Sequence, residues 1–240
     1  MGEEMAKRFK EFGIESYFYP VIENQAIAAD FSEVDENIQS RDCAWIFISK
    51  SSVQFFHAFL IQHGLTSWQP AGKVIAVGES TKKQLMTSFD ELDVITPEQP
   101  NSESLLRLSV LDSIKQVVTV KGLGGRGLIK EQLEAKGKQV ISLNLYQRAA
   151  VVYSKEELAH WNKCNLILST SVDIAKSIFS NLSLFVNAQI EHEFLHNKKW
   201  IVLSERIKTF LIQKNVESGN IFVCEQSDNS SIINMINKIG

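Results

Sequence analysis

Lys73-Val74-Ile75-Ala76-Val77-Gly78-Glu79-Ser80 returns later in the same chain as Lys199-Trp200-Ile201-Val202-Leu203-Ser204-Glu205-Arg206. In each copy a lysine precedes a short, wholly apolar run, and a small residue with a glutamate follows. A run of that kind marks a strand covered on both faces, as in parallel sheets. The small polar residues after it open a helix. Two neighbouring blocks repeat in the same order. The run ending in Ile48-Ser49 returns as the run ending in Thr170-Ser171, and Glu98-Gln99-Pro100-Asn101-Ser102 returns as Glu225-Gln226-Ser227-Asp228-Asn229. A fourth block breaks that order: Met5, Phe9, Gly13, Tyr17 and Tyr19 match Ile129, Leu133, Gly137, Ile141 and Leu143, so its second copy follows the other blocks. The chain therefore holds one α/β unit twice, with one copy inserted into the other.

The predicted fold is α/β: two similar doubly wound parallel-sheet lobes of flavodoxin-like type, one inserted into the other and joined by a two-stranded linker. Residues 28–147 form the inserted lobe, and residues 1–24 with 152–240 form the discontinuous one. Strands are expected at 17–19, 44–48, 74–77, 93–95, 117–120 and 139–145, then at 166–168, 200–203 and 221–223. Helices alternate with them, the first at 3–12 and another, capped by Asn101-Ser102, running to about Leu111. Two lobes leave a cleft between them, where small molecules usually bind. In the inserted lobe the strand 117–120 precedes the helix at 128–136, whereas the matching helix at 3–12 has no strand before it. That strand lies centrally in such a sheet, so the native protein is expected to start earlier than Met1.

The 240 residues, 44% of them hydrophobic, suffice for two cores. A net charge of −3 argues against nucleic acid or an anionic membrane as the main partner. No apolar run approaches the ~18 residues of a membrane span, and no basic-then-apolar leader precedes the first helix. Met1-Gly2 resembles a myristoylation start, but Ala6 stands where Ser or Thr is needed. Cys43, Cys164 and Cys224 are odd in number and far apart, and read as small hydrophobes in a reducing cytoplasm.

Two motifs invite sharper readings. Gly122-Leu123-Gly124-Gly125-Arg126-Gly127 follows a strand and opens a helix, which matches the dinucleotide pattern. The acidic residue expected about 20 positions on is replaced by Asn144-Leu145-Tyr146. A milder reading is an anion-holding loop flanked by Lys121 and Arg126, and a purely structural turn stays open. His192-Glu193-Phe194-Leu195-His196 is a literal H-E-x-x-H, but it precedes a strand rather than following one, so no metal site is expected there. The clusters 49–52, 78–81, 169–171 and 204–206 all follow strands. Each is most simply a helix cap; together they set hydroxyls and helix N-termini along the sheet edges, where anions are favoured. His57, His63 and His160 fall on or beside helices and pair with no evident nucleophile.

The order of these blocks resembles the uroporphyrinogen-III synthase family nearly end to end. The similarity rests on Ile46-Phe47-Ile48-Ser49-Lys50-Ser51-Ser52-Val53 and Val77-Gly78-Glu79-Ser80-Thr81. It continues through Lys121-Gly122-x-Gly124-Gly125-Arg126, Leu143-x-Leu145-Tyr146-Gln147-Arg148, Leu168-Ser169-Thr170-Ser171 and Leu203-Ser204-Glu205-Arg206. Family members usually begin with a strand ending in Thr-Arg-Pro, which is absent here. The resemblance implies a cofactor-free lyase that closes hydroxymethylbilane, a linear tetrapyrrole with an acetate and a propionate on each ring. Closure occurs with loss of water and inversion of ring D. Tyr146 is then the candidate proton donor to the departing hydroxyl, with an aromatic linker anchor as the plain alternative. Ser49, Thr81, Ser102, Lys121, Arg126, Ser171 and Ser204 are the expected carboxylate binders. A monomer is expected, with transient contact to the preceding pathway enzyme as an open alternative. Competing with this are a two-lobed binding protein without catalysis and a nucleotide-dependent enzyme using the loop 122–127.

Overall fold

A computed structural model describes residues 2–124, 127–185, 197–224, 226 and 228–239. In chain order the elements begin α1 (Gly2–Glu11), β1 (Ile22–Ala26), α2 (Ser32–Ile38), β2 (Cys43–Phe47), α3 (Lys50–Gln62), β3 (Lys73–Ala76) and α4 (Glu79–Ser88). They continue through β4 (Val94–Ile95), α5 (Ser102–Leu105), a 3-10 turn (Ser109–Leu111), β5 (Gln116–Gly122), α6 (Leu128–Ala135) and β6 (Gln139–Ala150). The last stretch holds α7 (Lys155–Trp161), β7 (Leu166–Ser169), α8 (Val172–Phe185), β8 (Lys199–Val202) and α9 (Glu205–Gln213). A second 3-10 turn (Ser218–Asn220), β9 (Ile221–Val223) and α10 (Asn229–Ile239) end it. The chain divides into two compact units: Asn24–Ala149, and Met1–Glu23 with Ala150–Gly240.

In the continuous unit the sheet order is β1-β6-β5-β2-β3-β4. β2 pairs in parallel with both β5 and β3, β3 with β4, and β5 with β6. Counted from β5, the parallel strands run in the flavodoxin-like order 2-1-3-4-5. Alternation along β2 explains the layering. Cys43, Trp45 and Phe47 enter a cluster with Phe56, Trp68 and Phe89 on one face, while Ala44 and Ile46 pack with Leu105, Val117 and Leu133 on the other. Every residue of β2 is buried, as a strand covered on both faces requires. The sixth strand departs from the all-parallel expectation. Ile27 N–H donates to the Leu145 carbonyl and Val151 N–H to the Val21 carbonyl, so the two chain crossings run antiparallel to each other. This makes the sheet mixed and realises the linker as β1 against β6.

The other unit has the parallel order β7-β8-β9. Trp200 and Val202 face a cluster with Trp161, Phe179 and Leu211, while Ile201 faces Met5 and Phe9 of α1 and Ile232 and Ile233 of α10.

Three local expectations are corrected. Residues 14–20 form no strand. Their counterpart, β6, lies along β5, but among the described residues this unit has no counterpart of β5 for them to join. The expected helix to about Leu111 breaks into α5 and a 3-10 turn; Asn101 caps α5, its side chain accepting Ser104 N–H at 2.7 Å. Two helices, α2 and α7, were not anticipated. Cys43 and Cys224 are buried and Cys164 is half-buried, all three as free thiols. Burial pushes the Cys43 thiol up to about 11, out of nucleophilic range.

Candidate functional site

Parallel strands place their C-terminal ends on one edge of the sheet, and such edges are where open α/β sheets build their sites. In the continuous unit that edge carries Ser49 after β2, Gly78 and Thr81 after β3, Ser102 after β4, and Lys121 and Gly122 at the end of β5. The helices opening there differ in charge. The first turns of α4, α5 and α6 carry Glu79, Glu103 and Glu131, each already balancing its own helix dipole. α3 has no acidic residue in its first turn and begins with Lys50. Its N-terminus is therefore the least compensated of the four. A depression of about 320 Å³ beside α4 is lined by Gly78, Glu79, Thr96, Pro97, Glu98 and Pro100. Its two carboxylates make it a poor seat for an anion.

Tyr146 is held at the α3 end. The Ser49 and Tyr146 hydroxyls lie 3.0 Å apart although the residues are 97 positions apart in sequence. Sheet order sets this up: β5 separates β2 from β6, and the Tyr146 side chain spans that gap, its ring lying against Gly122 at the end of β5. A register shift between Lys121 and Gly122 lets Gly122 pair with Tyr146 and skip Leu145. The ring then covers Gly122 so closely that a Cβ there would lie 2.5 Å from the Tyr146 ring. Phe55 of α3 stacks on the same ring, with centroids 4.8 Å apart and an angle of 24°. Leu123 N–H donates to the Tyr146 carbonyl at 2.6 Å. Tyr146 is 8% exposed, so most of its ring is committed to these contacts.

Ser49 is also the N-cap of α3. Its Oγ accepts Ser52 N–H at 3.0 Å, Ser52 Oγ accepts Ser49 N–H at 3.1 Å, and the Ser52 hydroxyl donates to the Ser49 carbonyl at 2.6 Å. Asn24 Nδ2 donates to Ser51 Oγ at 3.1 Å.

The other proposed binders are placed as follows. Thr81 is 2% exposed in α4, which leaves it little surface for a ligand. Ser102 and Lys121 are half-buried. In the discontinuous unit, Ser171 Oγ accepts Ile174 N–H at 3.2 Å and acts as a cap. Ser204 sits at the N-cap of α9 with no side-chain cap bond. Arg126 and the H-E-x-x-H segment lie outside the described residues. Among the described residues no group of His, Cys, Asp and Glu could hold a metal ion, and no helix is long and apolar enough to cross a membrane. His57 packs against Phe89 and His63 stacks on Phe31. Sequence reasoning missed Gly122 and Phe55 as neighbours of Tyr146, and Ser52 as the partner of Ser49 in the cap. The Gly122 spacing offered a signal; the Phe55 stack offered none.

The uroporphyrinogen-III synthase HemD family model matches residues 3–234. The chain belongs to that family. Two bacterial uroporphyrinogen-III synthases are similar across almost the whole chain. The Escherichia coli protein is 26% identical, with 97% of this chain and 94% of that protein covered. The Salmonella typhimurium protein is 27% identical, with the same coverage. Among solved structures, the uroporphyrinogen-III synthetase of Helicobacter pylori shares the fold at a TM-score of 0.57 and 13% identity, covering 94% of this chain and 96% of that one. A mutant uroporphyrinogen III synthase from Thermus thermophilus does so at 0.51 and 12%, covering 99% and 94%. The pairing order of β2 to β6 is thus that of a uroporphyrinogen-III synthase family member, and the Ser49–Tyr146 contact is a feature of that framework in this chain.

Proposed function

We propose that the protein is a uroporphyrinogen-III synthase, a lyase that cyclises hydroxymethylbilane with inversion of ring D and loss of water. Family membership over residues 3–234 supports the reaction. The observation that carries the site is the Tyr146 hydroxyl, held 3.0 Å from Ser49 at the N-terminus of α3. Free of enzyme, the substrate ionises and closes at the nearest carbon, giving the unflipped isomer. The enzyme's task is to hold a flexible polyanion so that the substituted ring-D carbon reacts first, through a spiro intermediate. Orientation of this kind is worth several kcal/mol without a strong acid or base, and excluding water limits capture of the azafulvene cation.

Tyr146 is assigned as proton donor to the departing hydroxyl, since its phenol carries an O–H that can be donated to the leaving oxygen. Lys121 and Ser102, the N-terminus of α3, and Arg126 are assigned to substrate carboxylates. Ser171 and Ser204 of the other unit receive the same role, and Thr81, its own amide bonded to the Gly78 carbonyl, contributes as part of the N-terminus of α4. The protein is taken to work as a monomer in the cytoplasm, a setting that suits three free thiols.

Product analysis tests the reaction. Freshly made hydroxymethylbilane incubated with the protein should give isomer III, and formation of isomer I alone, as without enzyme, would remove the assignment. Tyr146→Phe should lower turnover at least about tenfold in a coupled assay started from porphobilinogen. An unchanged rate would take Tyr146 out of the mechanism and leave the family assignment standing.

A further inference from the structure

We infer that Ser49 and Gly122 are positioning residues that act through Tyr146: Ser49 donates its hydroxyl proton to the phenol oxygen, and Gly122 leaves room for the ring to lie in that bond. The inference rests on the reading of Tyr146 as proton donor. It also moves Ser49 from the carboxylate binders to the support of the phenol.

The direction of the Ser49–Tyr146 bond follows from what surrounds Ser49. Its Oγ already accepts Ser52 N–H at 3.0 Å. That amide belongs to the uncompensated first turn of α3, which carries no acidic side chain. A hydroxyl that accepts from a helix N-terminus is polarised towards donation. With Ser49 as donor, Tyr146 Oη accepts and keeps its own proton free for the substrate. In the transfer, the substrate C–O bond breaks with its electron pair on oxygen. The Tyr146 proton joins that oxygen and water departs. The chain is left with a phenolate facing the Ser49 hydroxyl, and the substrate with an azafulvenium cation. A hydrogen bond to the charged phenolate is stronger than one to the neutral phenol, so Ser49 favours the state that follows transfer. Gly122 has a steric part in this. Any side chain would start 2.5 Å from the ring, inside van der Waals contact, and Phe55 already stacks on the same ring at 4.8 Å. A ring pushed by a side chain at position 122 would have to shift against that stack and away from its bond to Ser49.

The test is a double-mutant cycle on the full chain, with kcat and KM measured for Ser49→Ala, Gly122→Ala, Tyr146→Phe and both pairs with Tyr146→Phe, and folding checked by thermal melting. Ser49→Ala and Gly122→Ala should each lower kcat by about tenfold, the scale of one lost hydrogen bond to a charged group, with KM within about twofold. Neither should lower kcat further when Tyr146 is already Phe, because the group they serve is gone. Ser49→Thr, which keeps the hydroxyl and the cap, should recover most of the loss. Three outcomes would overturn the inference and leave Tyr146 in place. These are a fully additive double mutant, a Ser49→Ala effect confined to KM as expected of a carboxylate binder, or no rescue by Ser49→Thr in a folded protein. If Tyr146→Phe alone keeps the wild-type rate, the proton-donor reading fails and takes this inference with it.

Discussion

β2 and β7 hold the same place in the two copies of the unit, yet they are buried to different depths. Ile46 of β2 is fully shut from solvent, while Leu168, its counterpart in β7, is half-buried. Both strands come from short apolar runs that lead into a serine-capped helix. They differ in neighbours. β2 is hydrogen-bonded on both edges, to β5 and β3, whereas β7 is bonded to β8 on one edge. A strand pattern in sequence specifies the strand; its burial is conferred by what lies beside it.

The comparison breaks most sharply at the paired positions. Ile46→Ala should destabilise its unit by about 3 kcal/mol, as deletion from a packed core does. Leu168→Ala should cost about 1 kcal/mol, since less apolar area leaves solvent contact there. Urea unfolding of the two variants measures this, and equal losses would show that edge position has no energetic consequence. Native-state hydrogen exchange sharpens the same point: β2 amides should exchange about tenfold or more slowly relative to those of β7.

Helix caps offer a smaller contrast. Ser49 closes a reciprocal capping box, but Ser204 makes no cap bond with its side chain. Ser49→Ala should cost about 1 kcal/mol, and Ser204→Ala less than about 0.5 kcal/mol. The smallest effect concerns the thiols. Cys43 lies in β2, and burial raises its pKa from 9.0 to about 11. A raised folded-state value means the stabilisation is complete below pH 9 and drains away as pH rises from about 9 to 11. Cys43→Val should flatten that alkaline slope. Cys164, which lies just before β7, is half-buried, and its pKa is also raised by burial. It should react first with an aromatic disulfide reagent in the folded protein, with Cys43 reacting only on unfolding.

Much of the architecture was readable in the chain. The apolar runs around Trp45, Ile75, Val118 and Trp200 gave strands because buried parallel strands tolerate nothing else on either face. α7 also carried a readable signal, since Ser154 and Glu157 form a capping box. α2 was harder to see, because Val34 and Ile38 are the only large apolar residues in its seven. Tyr17-Phe18-Tyr19 has strand-forming residues but no strand, because propensity without a partner edge does not make a ladder. In the candidate site, Ser49, Lys121 and Tyr146 were legible from their places at strand ends and from family resemblance. The Phe55 stack and the dense contact at Gly122 were not, since both depend on the register shift that seats the Tyr146 ring over the end of β5.

The sequence by itself determined the duplicated strand–helix alternation, the inserted order of the copies and the family, because periodicity and block order are properties of the chain alone. Tertiary structure decided that Ser49 and Tyr146 would share a hydrogen bond, that Thr81 would be withdrawn from the surface, and that β7 would be more exposed than β2. Each of those depends on strand order and register, which bring together groups that no local pattern relates.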